Sequence, residues 1–180
     1  MILINFEETY ESVDVAPDLS FMTFYSEVID APDILLKVKI SPLEQPHLPN
    51  VFNLSFGPIL ADGGIDDAAK IPHLNRNKMF STIILFSYVY LQSNPHITIG
   101  IDGSNDARAY LYHRMFLTNR EYFEEYFVAI GVDWYVKLLR NSDVERDVDG
   151  VPYFKPRPEP FDYQRPANNL YRYYMYRLAQ

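Results

Sequence analysis

No cysteine occurs in the 180 residues. Disulfides, thiolate metal centres and cysteine nucleophiles are therefore excluded, and the absence is compatible with a reducing compartment. Basic residues are scarce as well, 16 against 24 acidic ones, for a net charge of −8. Clustered cations are what displace counterions from nucleic acid, so nonspecific nucleic-acid binding is not expected. Long apolar runs are missing too. The least polar window, Met79 to Leu91, gives way to Gln92-Ser-Asn-Pro95; a membrane span needs about twenty apolar residues, so this window reads as a buried helix. The first residues, Met1-Ile-Leu-Ile-Asn-Phe-Glu-Glu, show no basic stretch followed by an apolar segment, and no secretory leader is expected. The expectation is a soluble, cytoplasmic chain with no membrane association.

What is present is aromatic. There are 15 Tyr and 12 Phe but a single Trp. Tyr suits half-buried surfaces because its ring packs while its hydroxyl stays paired or wet, so the enrichment fits a contact surface or a sheet-rich core. Charge is unevenly spread. Residues 1–74 carry 3 basic and 12 acidic side chains, 75–150 carry 8 and 10, and 151–180 carry 5 and 2. The basic end is expected to dock on an acidic surface, of this chain or of a second copy.

The first seventy residues read as strands and turns. Phe21 to Ile29 is rich in aromatic and β-branched residues, and Asp30-Ala-Pro-Asp33 breaks it. Ile34 to Ile40 then alternates, with Lys37 and Lys39 opposite Leu36, Val38 and Ile40, which predicts a hairpin with one wet face. Val51 to Phe56 alternates again until Gly57-Pro58. From about Asn75 the period changes: Met79, Phe80, Ile83, Ile84, Ser87, Tyr88 and Leu91 fall on one helical face. A strand at Ile97 to Ile101, a helix opening near Asp106, a helix or tight turn at 121–126 and strand material at 127–132 and 134–139 follow. Beyond Arg140 the composition shifts to charged turns, then to five prolines within 152–166, which predicts an extended segment on the surface. Residues 169–178 fit strand or helix, with a lean to strand. The fold class is α+β: an antiparallel or mixed sheet with two main helices on one face. The expected organisation is a domain over 1–140 and a Pro-rich, basic, Tyr-rich arm over 141–180.

The turn Gly100-Ile-Asp-Gly-Ser-Asn-Asp-Ala-Arg108 admits two readings. Helix starts leave N–H groups unpaired and favour anions, Gly103 permits close approach, Ser104 offers a hydroxyl and Arg108 a fork for phosphate or carboxylate. Arginine in a first turn also opposes the helix dipole, which invites an anionic partner. Equally, Ser104 or Asn105 is an ordinary cap, and Arg108 can pair with a nearby aspartate. Neither the dinucleotide fingerprint nor the phosphate loop is matched.

The run Asn53-Leu-Ser-Phe-Gly57, then Ile65-Asp-Asp67, then Gly103-Ser104 with Arg108 and Leu111-Tyr112, resembles a family of small bacterial proteins of unknown function. The likeness spans roughly residues 50–118 and implies no activity. It groups Asn53, Asp66, Asp67, Ser104 and Arg108 as candidate ligand-binding residues.

Other constellations point nowhere as firmly. Asp66 and Asp67 can serve a cation or act as acid and base, but adjacent carboxylates after Gly-Gly also make a plain solvated turn. No lysine has an acidic residue two positions before it, which excludes one metal-dependent nuclease pattern. His47, His73, His96 and His113 show no metal-ligand spacing, so no metal and no cofactor are expected. Two functions remain. The first is a non-enzymatic protein acting through protein–protein contacts or self-association. The alternative is a binder of, or enzyme for, a small phosphorylated ligand or nucleotide, using the Gly103–Arg108 helix start and the Asp66-Asp67 turn.

Overall fold

A computed structural model describes residues 1–103 and 105–179. Eight strands form one sheet: β1 (Ser12–Val15), β2 (Phe21–Val28), β3 (Ala31–Pro42), β4 (Val51–Pro58), β5 (Thr98–Asp102), β6 (Phe127–Tyr135), β7 (Lys155–Pro160) and β8 (Tyr173–Leu178). Their order is β1-β2-β3-β4-β5-β8-β6-β7. Three helices complete the fold: α1 (Arg76–Ser93), α2 (Asp106–Thr118) and α3 (Arg120–Tyr126). The class is α+β with a mixed sheet. Among the described residues β4 and β5 are the one parallel pair, and α1 crosses between them as parallel connections require.

The alternation of β3 works as patterned. Leu36, Val38 and Ile40 are buried against the helices, while Lys37 and Lys39 look away. The β2–β3 turn is tighter than the Asp30–Asp33 break expected. Asp30 takes a left-handed φ of 55°, and β3 already begins at Ala31. In α1 the whole proposed face is buried except Tyr88, which is half-buried, and Asn75 caps the start by accepting the Lys78 N–H. All three helices pack on one sheet face with Leu54, Ile99, Ile101, Tyr174 and Tyr176. The opposite face holds a smaller cluster of Leu48, Val51, Val132, Tyr173 and Met175.

The N-terminus lies across the helices. Asn119 stitches it there: its amide accepts from Ile4 N–H at 2.8 Å and donates to Ile2 C=O at 2.9 Å and Met115 C=O at 2.7 Å. Ser81 and Thr82 of α1 accept from the backbone of Asn5 and Tyr10.

The surface arm expected over 141–180 requires correction at its C-terminal strand. β8 sits between β5 and β6, and Tyr171, Tyr174 and Tyr176 are fully buried. The reason is the sheet itself: β5 carries buried Ile99 and Ile101 and needs a partner on the side away from β4. An aromatic strand supplies it. Gly100 and Gly131 admit the rings, since a Cβ on either would collide with Tyr173 or Tyr171.

The prolines also have a place. Pro156, Pro158 and Pro160 alternate along β7, so their missing N–H groups all fall on the edge away from β6, while Phe161 N–H still reaches Ala129 C=O. Proline on such an edge blocks further strand pairing. Among the described residues no basic side chain of the tail forms an ion pair with the acidic first half. Lys155 pairs with Glu145, Arg157 and Arg165 with Asp133 and Glu159, and Arg172 with Asp106. Arg165 also stacks 3.8 Å from the Tyr171 ring centre.

Candidate functional site

β4 and β5 pair only as far as Asn53 and Gly100, then part. A parallel pair that diverges leaves a crevice at the carboxyl ends of its strands, which is where helices that follow those strands begin. Here α1 follows β4 and α2 follows β5, so both N-termini open on the gap. The segment Asp67–His73 forms its outer wall. The resulting cavity measures about 1020 Å³.

Its lining is graded. Buried Met79 and Phe80 from α1, buried Ile101 from β5, Leu54 and Phe56 from β4 and Leu111 from α2 supply apolar walls. Three cations, Lys70, Arg76 and Arg108, and two carboxylates, Asp67 and Asp102, stand among them, with Arg108 half-buried and the others exposed. Among the described residues Arg76 and Lys70 make no ion pair.

Arg108 does pair: its guanidinium donates to the Asp67 backbone carbonyl and lies 3.6 Å from that residue's carboxylate. The α2 cap is Asn105, whose side chain accepts the Arg108 N–H at 2.9 Å. Ser104 lies outside the described residues. Asp66 does not line the cavity; its carboxylate accepts the Ala68 N–H in a local turn. Asn53 borders the cavity, but its amide oxygen is taken by the Tyr173 hydroxyl at 3.1 Å. Of the five grouped residues the structure thus brings Asp67 and Arg108 into contact, sets Asn53 elsewhere on the same cavity lining, and leaves Asp66 to the turn.

Lys70, His73, Arg76, Asp102 and Tyr112 also line the cavity, and the sequence reading grouped none of them with the candidate site. Arg76 carried the same signal as Arg108, a cation in a helix's first turn against the dipole. Tyr112 is 5% exposed, and among the described residues its hydroxyl has no hydrogen-bond partner. Burial pushes its pKa up to about 12, so it remains a proton donor at neutral pH. His73 exchanges a 2.8 Å hydrogen bond with buried Ser26. Its burial, helped by the Arg76 charge, holds its pKa below the usual value and keeps it neutral. The site therefore offers cations at a water-accessible rim, with the neutral Tyr112 donor buried among the apolar residues below it.

His113 is buried inside α2, against the Phe161 ring at 5.3 Å, and is spent on packing. Among the described residues no group of three or more His, Asp or Glu is arranged to hold a metal ion, and no helix is long and apolar enough to cross a membrane.

No curated protein matches the chain, and no solved structure does. One family model matches over residues 7–145, from the N-terminal segment through the divergent strands and both helix starts to the end of β6 and beyond. The chain belongs to that family, a family of unknown function, DUF6934.

Proposed function

We propose that the protein binds a small anionic molecule in the cavity between β4 and β5. The observation that carries this reading is the convergence of Arg76 and Arg108, each in the first turn of its helix, on one crevice. First-turn arginines oppose the helix dipole, and a bound anion relieves both charges at once. The guanidinium fork suits carboxylate and phosphate alike.

Thermal unfolding of the full chain with nucleoside monophosphates, sugar phosphates and dicarboxylates tests it. A ligand at a hundredfold excess over Kd stabilises by about 2.7 kcal/mol, which in a chain of this size raises the midpoint by about 5–10 °C. Arg76→Gln is expected to cut the rise to roughly half, as a tenfold weaker Kd requires, while leaving the unliganded midpoint nearly unchanged, because Arg76 is exposed. A panel in which no anion shifts the midpoint counts against the reading.

A second reading, contact with a protein partner or a second copy, rests on one observation. Trp134, Tyr135, Leu138, Leu139, Val148, Val151 and Phe154 are exposed along a single stretch of chain. Aromatic residues of this kind anchor protein contacts. Light scattering across a concentration series tests self-association; a constant monomer mass removes the second copy from consideration.

A further inference from the structure

We propose that the ligand is an amphipathic anion: a flat or slender apolar body carrying a single anionic head. The inference rests on the cavity reading above and names its ligand class. Both helices enter the cavity with the same sequence pattern. α1 offers Arg76, then Met79 and Phe80; α2 offers Arg108, then Leu111 and Tyr112. Residues at i, i+3 and i+4 share a helix face, so each helix sets a cation at the rim and an apolar pair one turn below, about 5.4 Å deeper. Two such faces meet across one gap.

Size argues the same way. A cavity of about 1020 Å³ lies at the top of the range for small-molecule sites, roughly 300–1,000 Å³. An inorganic anion alone leaves the apolar floor wet. Phe56 and Phe80, with ring centres 5.6 Å apart at 81°, make a wall against which a ring or chain can pack.

The charge count limits the head: three cations, Lys70, Arg76 and Arg108, stand against two carboxylates, Asp67 and Asp102, an excess of one positive charge. Arg108 is already engaged by Asp67, and Asp67 and Asp102 both stand in the lining. A polyphosphate would meet those carboxylates, whereas one compact head fits beside Arg76 and Arg108. Within the same lining the Tyr112 hydroxyl is a donor that no described group uses.

The test is calorimetric titration of the full chain with 1-naphthyl phosphate, 1-naphthol, inorganic phosphate and tripolyphosphate. Naphthyl phosphate is expected to bind one equivalent about tenfold or more tighter than either naphthol or phosphate, and tripolyphosphate no tighter than phosphate. Ala107→Trp, at an exposed position lining the cavity, is expected to block naphthyl phosphate with an unchanged melting curve. Arg76→Gln is expected to weaken it about tenfold, and Tyr112→Phe to weaken it measurably.

Four results overturn the proposal: naphthyl phosphate no tighter than phosphate, tripolyphosphate binding tightest, binding indifferent to Ala107→Trp and Arg76→Gln, or no binding of any of the four. In the first two cases anion binding survives and only the ligand class falls. The last case, joined to a silent thermal panel, removes both.

Discussion

Replacing Tyr176 tests whether the C-terminal strand is core. Tyr176 is fully buried in β8, its ring centre 5.1 Å from Phe127, 6.0 Å from Phe123 and 6.1 Å from Phe116, and its hydroxyl donates to Ser87 Oγ at 2.8 Å. Ser87 in turn donates to Ile84 C=O at 2.8 Å. Tyr176→Phe removes one neutral hydrogen bond but leaves Ser87 its own acceptor, so the cost is about 0.5–1.5 kcal/mol. Tyr176→Ala removes the ring from a site walled by three others, and large-to-small changes of that kind cost about 3–5 kcal/mol. The difference between the variants, about 1.5–4.5 kcal/mol, isolates ring packing. Against a total of about 5–15 kcal/mol the alanine variant loses a large share of its stability. Urea titration followed by circular dichroism reads both, with unchanged m-values showing that the transition stays the same. A Tyr176→Ala chain as stable as wild type would refute the placement of β8 at the centre of the sheet.

Gly131→Ala drives a methyl into the Tyr171 ring and is expected to cost about 1–3 kcal/mol by overpacking, read from the same titration. Asn119→Ala is expected to release residues 1–6 from the helices, since it removes the partners of Ile2 and Ile4 together; hydrogen exchange of the Ile4 amide rises while that of β8 does not. The pH dependence has a definite sign. His113 and His73 are held below the usual value of 6.5 by burial, with neighbouring arginines adding to it. The unfolded chain therefore takes up protons first, and stability present above about pH 6.5 is lost as pH falls through the window below it. Midpoints measured from pH 7 to pH 5.5 are expected to fall, and His113→Leu to flatten the slope; a midpoint that rises over that window refutes it.

Much of this architecture was legible because local pattern and tertiary role agree. Leu36, Val38 and Ile40 alternate against one face, and the helical spacing of α1 marks the side that is buried. The C-terminal part was legible as a strand but not as a central one. Its prolines and cations resemble those of a solvated arm, and only pairing reveals that Pro156, Pro158 and Pro160 share the unpaired edge while Arg165 is consumed by Asp133 and Glu159. Composition reports what a segment contains, and burial depends on which edge of the sheet is vacant. Of the candidate site, Arg108 and Asp67 could be read from the turn chemistry around them. His73 and Tyr112 could not: a histidine in a loop and a tyrosine mid-helix carry no local mark of facing a cavity.

Why the cavity stands where it does follows from the sheet order. In an antiparallel hairpin the chain returns at once, as between β2 and β3, and no helix start is brought to the strand ends. A parallel step obliges the chain to cross over, and each crossover helix begins at the carboxyl end of the strand before it. Among the described residues two such steps follow one another, β4 to its neighbour β5 and β5 across β8 to β6, which runs parallel to β5 because both are antiparallel to β8, so the segment β4-α1-β5-α2 is the stretch that can aim two helix starts at a common gap. Pairing that stops at Asn53 and Gly100 opens the gap, and β3 on one side with β8 on the other holds the parted strands in place. The antiparallel remainder of the sheet is thus the frame that keeps β4 and β5 apart, and the aromatic C-terminal strand belongs to the site's support even though β8 lines none of its wall.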